Sequence, residues 1–455
     1  MCHVDKKSLI DLGILANGAG EWPLRSLLDH THSKAAHHAL ETLLANPLDN
    51  IDEIAGRQQL LRALPKIIEH LNWSVLGEQL HQLESYLDSN YVVFPASTFD
   101  ATMFVLRYAD IAKSVEEHVL AAEVFLDTCT QIREGLGTLK GDTRFREILD
   151  VFDAVFATSL RTELRVARDA TSQRKLAICR LDGRFRIDLR ALLLKLVASF
   201  HRFDAFCSLA RTSQGLGLVV PRMMKRTDGP LVVYGLHHPL VKKARSNEIS
   251  PTAHERVMFL TGPNMAGKST LLRALGMVVV FAHLGLPVPA THARIPLTDR
   301  VIASLGNEDN ILRAESLYLA EVRRVKSVVV AVAEGELVVA LLDEAFRGTN
   351  VKDAGDATTL LVTGLSHAPF GLFAISSHLI EVADNIGAHP GIGFWHLEVE
   401  SRGENYAFTY QLARGVSHVR LGMALLKSEG VVDLLASLSA PRAAVTPAPS
   451  GEVSE

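Results

Sequence analysis

The chain has 455 residues, and 48% of them are apolar, which is enough for a large core and excludes disorder as its main state. The 47 Lys and Arg residues nearly balance the 51 Asp and Glu residues, so no global basic field marks a nucleic-acid binder. Four separated cysteines without a CxxC pair argue against a disulfide framework or zinc knuckle, and the apolar runs are too short to span a bilayer. We therefore expect a cytoplasmic protein with no membrane contact.

The first half of the chain carries the signature of helices. We interpret residues 1–22 as an N-terminal extension and residues 23–215 as an all-α domain. Leu76, Leu80, Leu83 and Leu87 recur at the spacing that places them along one side of a helix. Strand patterns are scarce in this half.

Residues 161–202 concentrate positive charge. Eleven basic residues stand against four acidic ones, a surplus of seven: Arg161, Arg165, Arg168, Arg174, Lys175, Arg180, Arg184, Arg186, Arg190, Lys195 and Arg202 against Glu163, Asp169, Asp182 and Asp188. Such a stretch is either a solvated helix face or a surface that grips phosphates. The sequence leaves both interpretations open.

Residues 216–436 have an α/β texture. Short β-branched runs, GPLVVYGL, ERVMFLTG, GELVVALLDE and FGLFAISSH, alternate with helical stretches, and each predicts a buried strand followed by a loop. Residues 437–455 are rich in Pro, Ala and Ser, which predicts a disordered tail. The two halves thus predict an all-α domain followed by an α/β domain.

A phosphate-binding loop follows the second of these strands. Gly262, four further residues and then Gly267, Lys268 and Ser269 match G-x4-G-K-[ST], between a strand and a helix. Glycines let backbone N–H groups turn toward phosphate oxygens, Lys268 would reach the β- and γ-phosphates, and Ser269 would hold Mg²⁺. The predicted nucleotide-binding residues here are Gly262, Pro263, Asn264, Met265, Ala266, Gly267, Lys268, Ser269 and Thr270.

Two later strands end in residues suited to hydrolysis. LVVALLDE predicts Asp343 on the Mg²⁺ side and Glu344 as the group that polarises the attacking water, although the pair could also cap the next element. LFAISSH ends in His378, where a γ-phosphate sensor would lie, although a histidine at a strand end is often structural. An Asp-Glu pair favours an ATPase that activates water over a kinase.

The wider context resembles the MutS family of DNA mismatch-repair ATPases. TGPNMAGKST, LGLPVPA, DEAFRGTN and SSH occur in this order and are similar to the ATPase domain of that family, an ABC-type P-loop fold. GLHHPLV and the closing FTYQLARGVSHVRLGMALLKSEGV extend the likeness, and residues 24–64 resemble the start of the family's helical core and lever domain. The resemblance covers most of residues 23–436.

The resemblance implies further roles. It gives Asn264 to the phosphate loop, Ser316 to the segment that reaches the nucleotide of the opposite subunit, and His378 to the switch. It places Tyr410 against the adenine ring, although a buried strand tyrosine is an equal alternative. A residue acting in trans implies a homodimer through the ATPase domains, with ATP and Mg²⁺ as cofactors and DNA, with possible repair proteins, as partners.

The chain also departs from the family pattern. Ala266 replaces a usual glycine, and DEAFRGTN carries Ala-Phe where a small residue and glycine are usual and Asn350 where serine is usual. The core begins by residue 23, so we expect no mismatch-reading or connector domain and a reduced DNA clamp. Phe145, Arg146 and Glu147 spell the family's mismatch wedge in a helical context, which we interpret as coincidence.

The sequence therefore predicts an ATP-hydrolysing, DNA-binding MutS relative that couples nucleotide state to a helical lever. Two alternatives stay open: a nucleotide-switched protein-interaction module without DNA binding, and a recombination or junction-acting relative. An ABC-type ATPase of a transporter or chromosome complex fits less well, because membrane segments, long heptad arms and an LSGGQ-type signature are missing.

Overall fold

The structure is a computed structural model that describes residues 2–17, 22–90, 92–95, 97–170, 174–214, 218–306, 317–402, 405–419, 426–427, 429–432 and 434–435. Within these ranges, the elements between Lys6 and Thr212 are helices, and strands alternate with helices from about residue 222 onward. The predicted change of texture is confirmed. The predicted tail at 437–455 lies outside the described residues.

The first residues of the chain pack on the sheet of the carboxyl-terminal part. Strand β1 (His3–Val4) pairs in parallel with the strand that begins at Arg300, and helix α1 (Lys6–Asp11) follows it. The Arg324 guanidinium donates a hydrogen bond of 2.6 Å to the Asp5 carboxylate. This segment, which the sequence presents as an extension, is thus held by a strand pairing and an ion pair.

The helical part contains amphipathic helices that pack around a shared core. Several begin at a side-chain cap, in which Ser33, Asn50, Asn72 or Asp142 accepts a backbone N–H of the first turn. The predicted stripe of four leucines lies buried along helix α5 (Trp73–Asp88), as expected. A π-helical turn spans Arg184–Asp188, and the α-helices are α2 (Arg25–Leu28), α3 (Lys34–Leu44), α4 (Ile51–Ile68), α5 (Trp73–Asp88), α6 (Thr98–Arg107), α7 (Ala109–Leu136), α8 (Thr143–Phe156), α9 (Leu160–Asp169), α10 (Arg174–Cys179) and α11 (Arg190–Thr212).

Two sheets form the carboxyl-terminal part. A seven-stranded sheet has the order β1-β7-β8-β9-β5-β10-β11, parallel except for the β10–β11 hairpin, and a four-stranded sheet has the order β2-β6-β3-β4. The strands are β2 (Arg222–Met224), β3 (Val232–Leu236), β4 (Asn247–Ile249), β5 (Val257–Thr261), β6 (His292–Pro296), β7 (Arg300–Ser304), β8 (Val338–Asp343), β9 (Leu372–Ser377), β10 (Ile392–Arg402) and β11 (Asn405–Arg414). All four predicted strand segments are present.

Helices cover both faces of the larger sheet. Helix α12 (Lys268–His283) lies between the sheet and the helical part, and its apolar side chains belong to the same core as those helices. Helices α13 (Leu317–Ala333), α14 (Val351–Ser366) and α15 (Ile380–Ile386) pack on the other face around a second core. The parallel strands are buried on both sides, which explains their continuous apolar sequences. No helix in the described ranges is long and apolar enough to cross a membrane.

The carboxyl-terminal end of α12 is fastened to the helical part by a buried histidine. His283 Nδ1 lies 2.7 Å from the carbonyl oxygen of Leu48, and His283 Nε2 accepts the backbone N–H of Thr298 at 3.2 Å. The acceptor role of Nε2 assigns the proton to Nδ1. Burial lowers the pKa of His283 to about 4, so the ring is neutral at pH 7.

A buried ion pair reinforces the same junction. Arg57 of α4 donates to Asp142, the cap of α8, and both side chains are fully buried. The Arg57 guanidinium also donates to the carbonyl oxygen of Leu284 at 3.3 Å, just beyond α12. Gly285 takes φ +74°, and a Cβ there would lie 3.1 Å from Arg57, so glycine suits both the backbone and the close approach.

Candidate active site

The predicted phosphate loop curls between β5 and α12. Gly262 and Gly267 adopt φ values of +140° and +99°, and Met265 adopts +72°. Ala266 is buried, and its φ is not in the positive range. Alanine therefore fits without backbone strain at this position, where glycine is usual in the resembled family. The loop ends at the first turn of a long helix, whose N–H groups favour bound anions.

Lys268 lies inside this loop. Its side chain is 4% exposed, and Nζ donates to the carbonyl oxygens of Gly262 at 2.6 Å and Pro263 at 3.2 Å. Burial lowers the pKa of Lys268, whereas the nearby carboxylates of Glu344 and Asp343 oppose that shift. The ammonium is thus placed where it can reach a phosphate held by the loop.

Asp343 stands at the end of β8 and joins two hydroxyl groups. Ser269, on the first turn of α12, donates to one oxygen of Asp343, and Ser376, in the neighbouring strand β9, donates to the other. All three groups offer oxygen, the ligand type that Mg²⁺ prefers. Ser376 was not predicted as a site residue, although it belongs to the quoted SSH segment.

Glu344 follows Asp343 in a left-handed turn, with φ +50°. Its carboxylate lies 3.6 Å from Nδ1 of His378, 3.6 Å from the Arg347 guanidinium and 4.0 Å from Nζ of Lys268. The contact with His378, followed by the charges of His378, Lys268 and Arg347, lowers the pKa of Glu344 against the effect of its burial. Glu344 is thus ionised at neutral pH, as a group that orients water requires.

The structure brings His378 to this carboxylate, and its side chain is half exposed. Ser316, the residue predicted to act in trans, lies outside the described residues, and α13 begins at Leu317. Asn264 and Met265 are exposed at the outer side of the loop. The structure therefore brings together Lys268, Asp343, Glu344 and His378 from segments far apart in the sequence.

A cavity of about 370 Å³ adjoins the loop on the side of β11. Tyr410 lines it, has φ +58° and lies close to Gly267, where an added Cβ would be 3.2 Å from the tyrosine ring. Tyr410 is 48% exposed, so it is not a buried strand tyrosine. Asn247 Nδ2 donates to the carbonyl oxygen of Tyr410 at 3.1 Å. The other lining residues that matter here are Thr270, Leu271, Leu397, Lys242 and Arg245.

The segment after Glu344 packs closely on the start of α13. Phe346 is buried in the left-handed region, with φ +68°, and its ring centroid lies 6.3 Å from that of Tyr318. A Cβ at Gly348 would lie 2.6 Å from the backbone nitrogen of Tyr318, so glycine is required there. Burial raises the pKa of Glu321 on α13, and the N–H groups of residues 346–348 oppose this shift. Sequence reasoning did not identify Glu321.

The basic stretch at 161–202 is largely neutralised. Among the described residues, ion pairs hold at least seven of its basic side chains, and five of those pairs use a carboxylate from outside the stretch: Arg161–Asp127, Arg168–Glu123, Lys175–Glu116, Arg190–Asp88 and Arg202–Glu147, with Arg184–Glu163 and Arg186–Asp182 within it. The folded surface therefore carries much less positive charge than the linear sequence suggests. This arrangement favours the interpretation as a solvated face.

No group of three or more His, Cys, Asp or Glu side chains among the described residues could hold a metal ion. A divalent cation at Ser269 and Asp343 would therefore have to take most of its ligands from water and phosphate, which is the usual coordination of Mg²⁺.

Comparison with known proteins gives one matching family. The family model described as MutS domain V matches residues 258–437. Proteins named DNA mismatch repair protein MutS are similar over about half of the chain: the protein of Sorangium cellulosum is 32% identical over 252 residues, covering 53% of this chain and 26% of its own length. The protein of Granulibacter bethesdensis is 32% identical over 239 residues, which cover 50% of this chain and 25% of that protein. The protein of Thermosipho melanesiensis is 29% identical over 246 residues, which cover 53% of this chain and 29% of that protein. The matched region spans about a quarter of the length of these relatives.

Proposed function

We propose that this chain is a MutS relative through its carboxyl-terminal part, and that it binds ATP with Mg²⁺ at the loop 262–270 and hydrolyses it. The observation that carries the proposal is the convergence of Lys268, Asp343, Glu344 and His378 at the carboxyl ends of parallel strands. Ligands of open α/β sheets bind at that edge. The proposed fold is an ABC-type P-loop domain, residues 216–436, behind a helical lever domain, residues 23–215.

Each residue has a defined task in the proposed reaction. Lys268 and the N–H groups of the loop would hold the β- and γ-phosphates. Glu344, ionised and flanked by Lys268, Arg347 and His378, would orient a water molecule toward the γ-phosphorus and take up its proton. His378 would link Glu344 to the state of the γ-phosphate.

The donor set also fits Mg²⁺. Ser269 and Asp343 would hold it, because they supply the oxygen ligands that a triphosphate-bound Mg²⁺ takes from a protein. Bound there, Mg²⁺ would neutralise charge that develops on the phosphate oxygens. The cavity beside Tyr410 has room for the nucleoside, and the exposed ring is available for stacking on adenine.

We further propose that ATP closes a homodimer of the carboxyl-terminal parts, with Ser316 of one subunit reaching the nucleotide of the other. The route for transmitting closure is α12, which begins at Lys268 and ends at His283, beside Leu48 of the helical part. A shift at one end of a rigid helix is felt at the other. Hydrolysis would then release the dimer and the lever.

In the first candidate function, the chain would bind DNA through the phosphates of the DNA backbone. The ion pairs along 161–202 favour a second candidate function. In it, the chain is a nucleotide-switched module that acts on a protein partner, such as a repair protein or a junction complex. A fluorescence-anisotropy titration with duplex and branched DNA at low salt separates the two candidates. Absence of binding with and without ATP would favour the protein partner, and stimulation of hydrolysis by DNA would favour the first candidate.

The proposed catalytic role is tested by replacing Glu344 with Gln. The Glu344→Gln variant should bind ATP as the parent does, whereas single-turnover hydrolysis should slow by about two orders of magnitude or more. Lys268→Ala is the matched control, because it should lose nucleotide binding itself. Unchanged turnover in Glu344→Gln would remove Glu344 from this role.

A further inference from the structure

Helix α6 exposes a stripe of large apolar side chains. Phe99 is 76% exposed, Met103 53% and Leu106 75%. Their spacing of four and then three residues places them on one side of the helix, as in a d-a-d run of a heptad. The stripe is therefore a continuous surface and not a scatter of single apolar residues.

The opposite face of α6 holds the helix to its own subunit. Ala101 is fully buried, and Phe104 and Val105 pack against the core. The ring of Phe104 lies edge-on to Phe94, with 5.0 Å between centroids. The exposed stripe is thus presented by an anchored helix and is left uncovered by the part of the chain that the structure describes.

Two opposite charges flank the stripe on the same side. Asp100 and Arg107 are exposed and seven residues apart, so each follows an apolar residue of the stripe by one position. When two copies of a helix pair antiparallel about a twofold axis, the same flank of each stripe faces the other. Asp100 of one copy then meets Arg107 of the other, and the pair occurs twice. A parallel pairing would bring neither contact.

We propose that α6 is a self-association surface that pairs antiparallel with α6 of a second copy of this chain. Phe99 of one copy packs beside Leu106 of the other, with Met103 near the axis, and two Asp100–Arg107 pairs set the orientation. A contact between two ten-residue helices is smaller than the interface of a stable dimer, so the association is weak. It needs no nucleotide and is separate from the proposed ATP-closed dimer.

Sedimentation velocity of the full chain without nucleotide, at low salt and over a range of protein concentrations, tests this surface. The parent should show a concentration-dependent dimer. Asp100→Arg and Arg107→Asp should each weaken it by about tenfold, because both symmetric pairs become repulsive. The double variant should restore it. Arg165→Asp, an equal charge change at an exposed site on α9, is the matched control and should behave as the parent.

Crosslinking tests the orientation. The described cysteines, Cys2, Cys129, Cys179 and Cys207, are all buried, so a thiol introduced on α6 is the accessible one. In a mixture of Asp100→Cys and Arg107→Cys chains, a short bismaleimide should join unlike chains in preference to like ones. A parent that stays monomeric at every concentration, a double variant that does not recover association, or equal yields of like and unlike products would each overturn the proposal.

Discussion

Lowering the pH should weaken the junction between α12 and the helical part, because it depends on a neutral His283. The ring donates to Leu48 through Nδ1 and accepts from Thr298 through Nε2, and protonation would place a second N–H against the Thr298 N–H. Burial lowers the pKa of His283 to about 4 from its ordinary 6.5. The unfolded chain therefore binds a proton at a higher pH than the folded chain does.

The magnitude follows from this difference. Well above pH 6.5 His283 is unprotonated in both the folded and the unfolded state, and its contribution to the free energy of unfolding is fully present. Between pH 6.5 and 4 only the unfolded state gains the proton, so the free energy of unfolding falls. About 2.5 pKa units correspond to about 3 kcal/mol in all, of which about 2.5 kcal/mol is lost by pH 4.5. Below pH 4 this contribution stays constant.

Urea unfolding of the parent and of His283→Gln between pH 7.5 and 4.5 measures this contribution. A glutamine amide can donate to Leu48 and accept from Thr298 but does not titrate, so the variant should lose about 2.5 kcal/mol less than the parent over this range. His38→Gln, on the exposed face of α3, controls for the change of residue type. Equal pH dependence of the parent and His283→Gln would refute the reasoning.

Two further substitutions test the packing that surrounds the site. Arg57→Ala leaves the buried Asp142 without its cation and should lower the free energy of unfolding by about 3–5 kcal/mol. Removing both charges should cost less than the sum of the two single changes, which a double-mutant cycle with urea unfolding would measure. Gly276→Ala places a Cβ 2.3 Å from the buried Leu12 side chain and 2.5 Å from that of Leu341, and should destabilise the chain by about 1–3 kcal/mol; combined with Leu12→Ala, the loss in thermal unfolding should be smaller than the sum of the two single changes.

The site was predictable where the residue types are dictated by local chemistry. The glycines and Lys268 predict the loop. An apolar run that ends in Asp343 and Glu344 predicts a strand whose end lies near that loop. Parallel strands then bring these ends together, so the sequence order alone indicates the edge of the sheet. The contact between His378 and Glu344 depends on side-chain direction, which the sequence left open.

Other features depend on contacts between distant segments. Strand β1 has two residues, too few for a period-two pattern, and only its pairing with β7 identifies it. The carboxylates that neutralise the 161–202 stretch come mainly from α5, α7 and α8, so a local charge count misses them. Phe346 takes a left-handed backbone conformation that favours glycine, and its buried ring lies beside that of Tyr318, a contact between segments that the sequence does not reveal.

Closure of two carboxyl-terminal parts around ATP is the central claim, and sedimentation of the chain with Mg²⁺ and a non-hydrolysable ATP analogue tests it most directly. The measurement is made on the Asp100→Arg variant at the lowest workable protein concentration, so that the weakened pairing through α6 does not contribute. The account predicts a monomer without nucleotide, a dimer with the analogue, and a monomer under both conditions when Lys268→Ala is added. A chain that binds the analogue and still sediments as a monomer would contradict it.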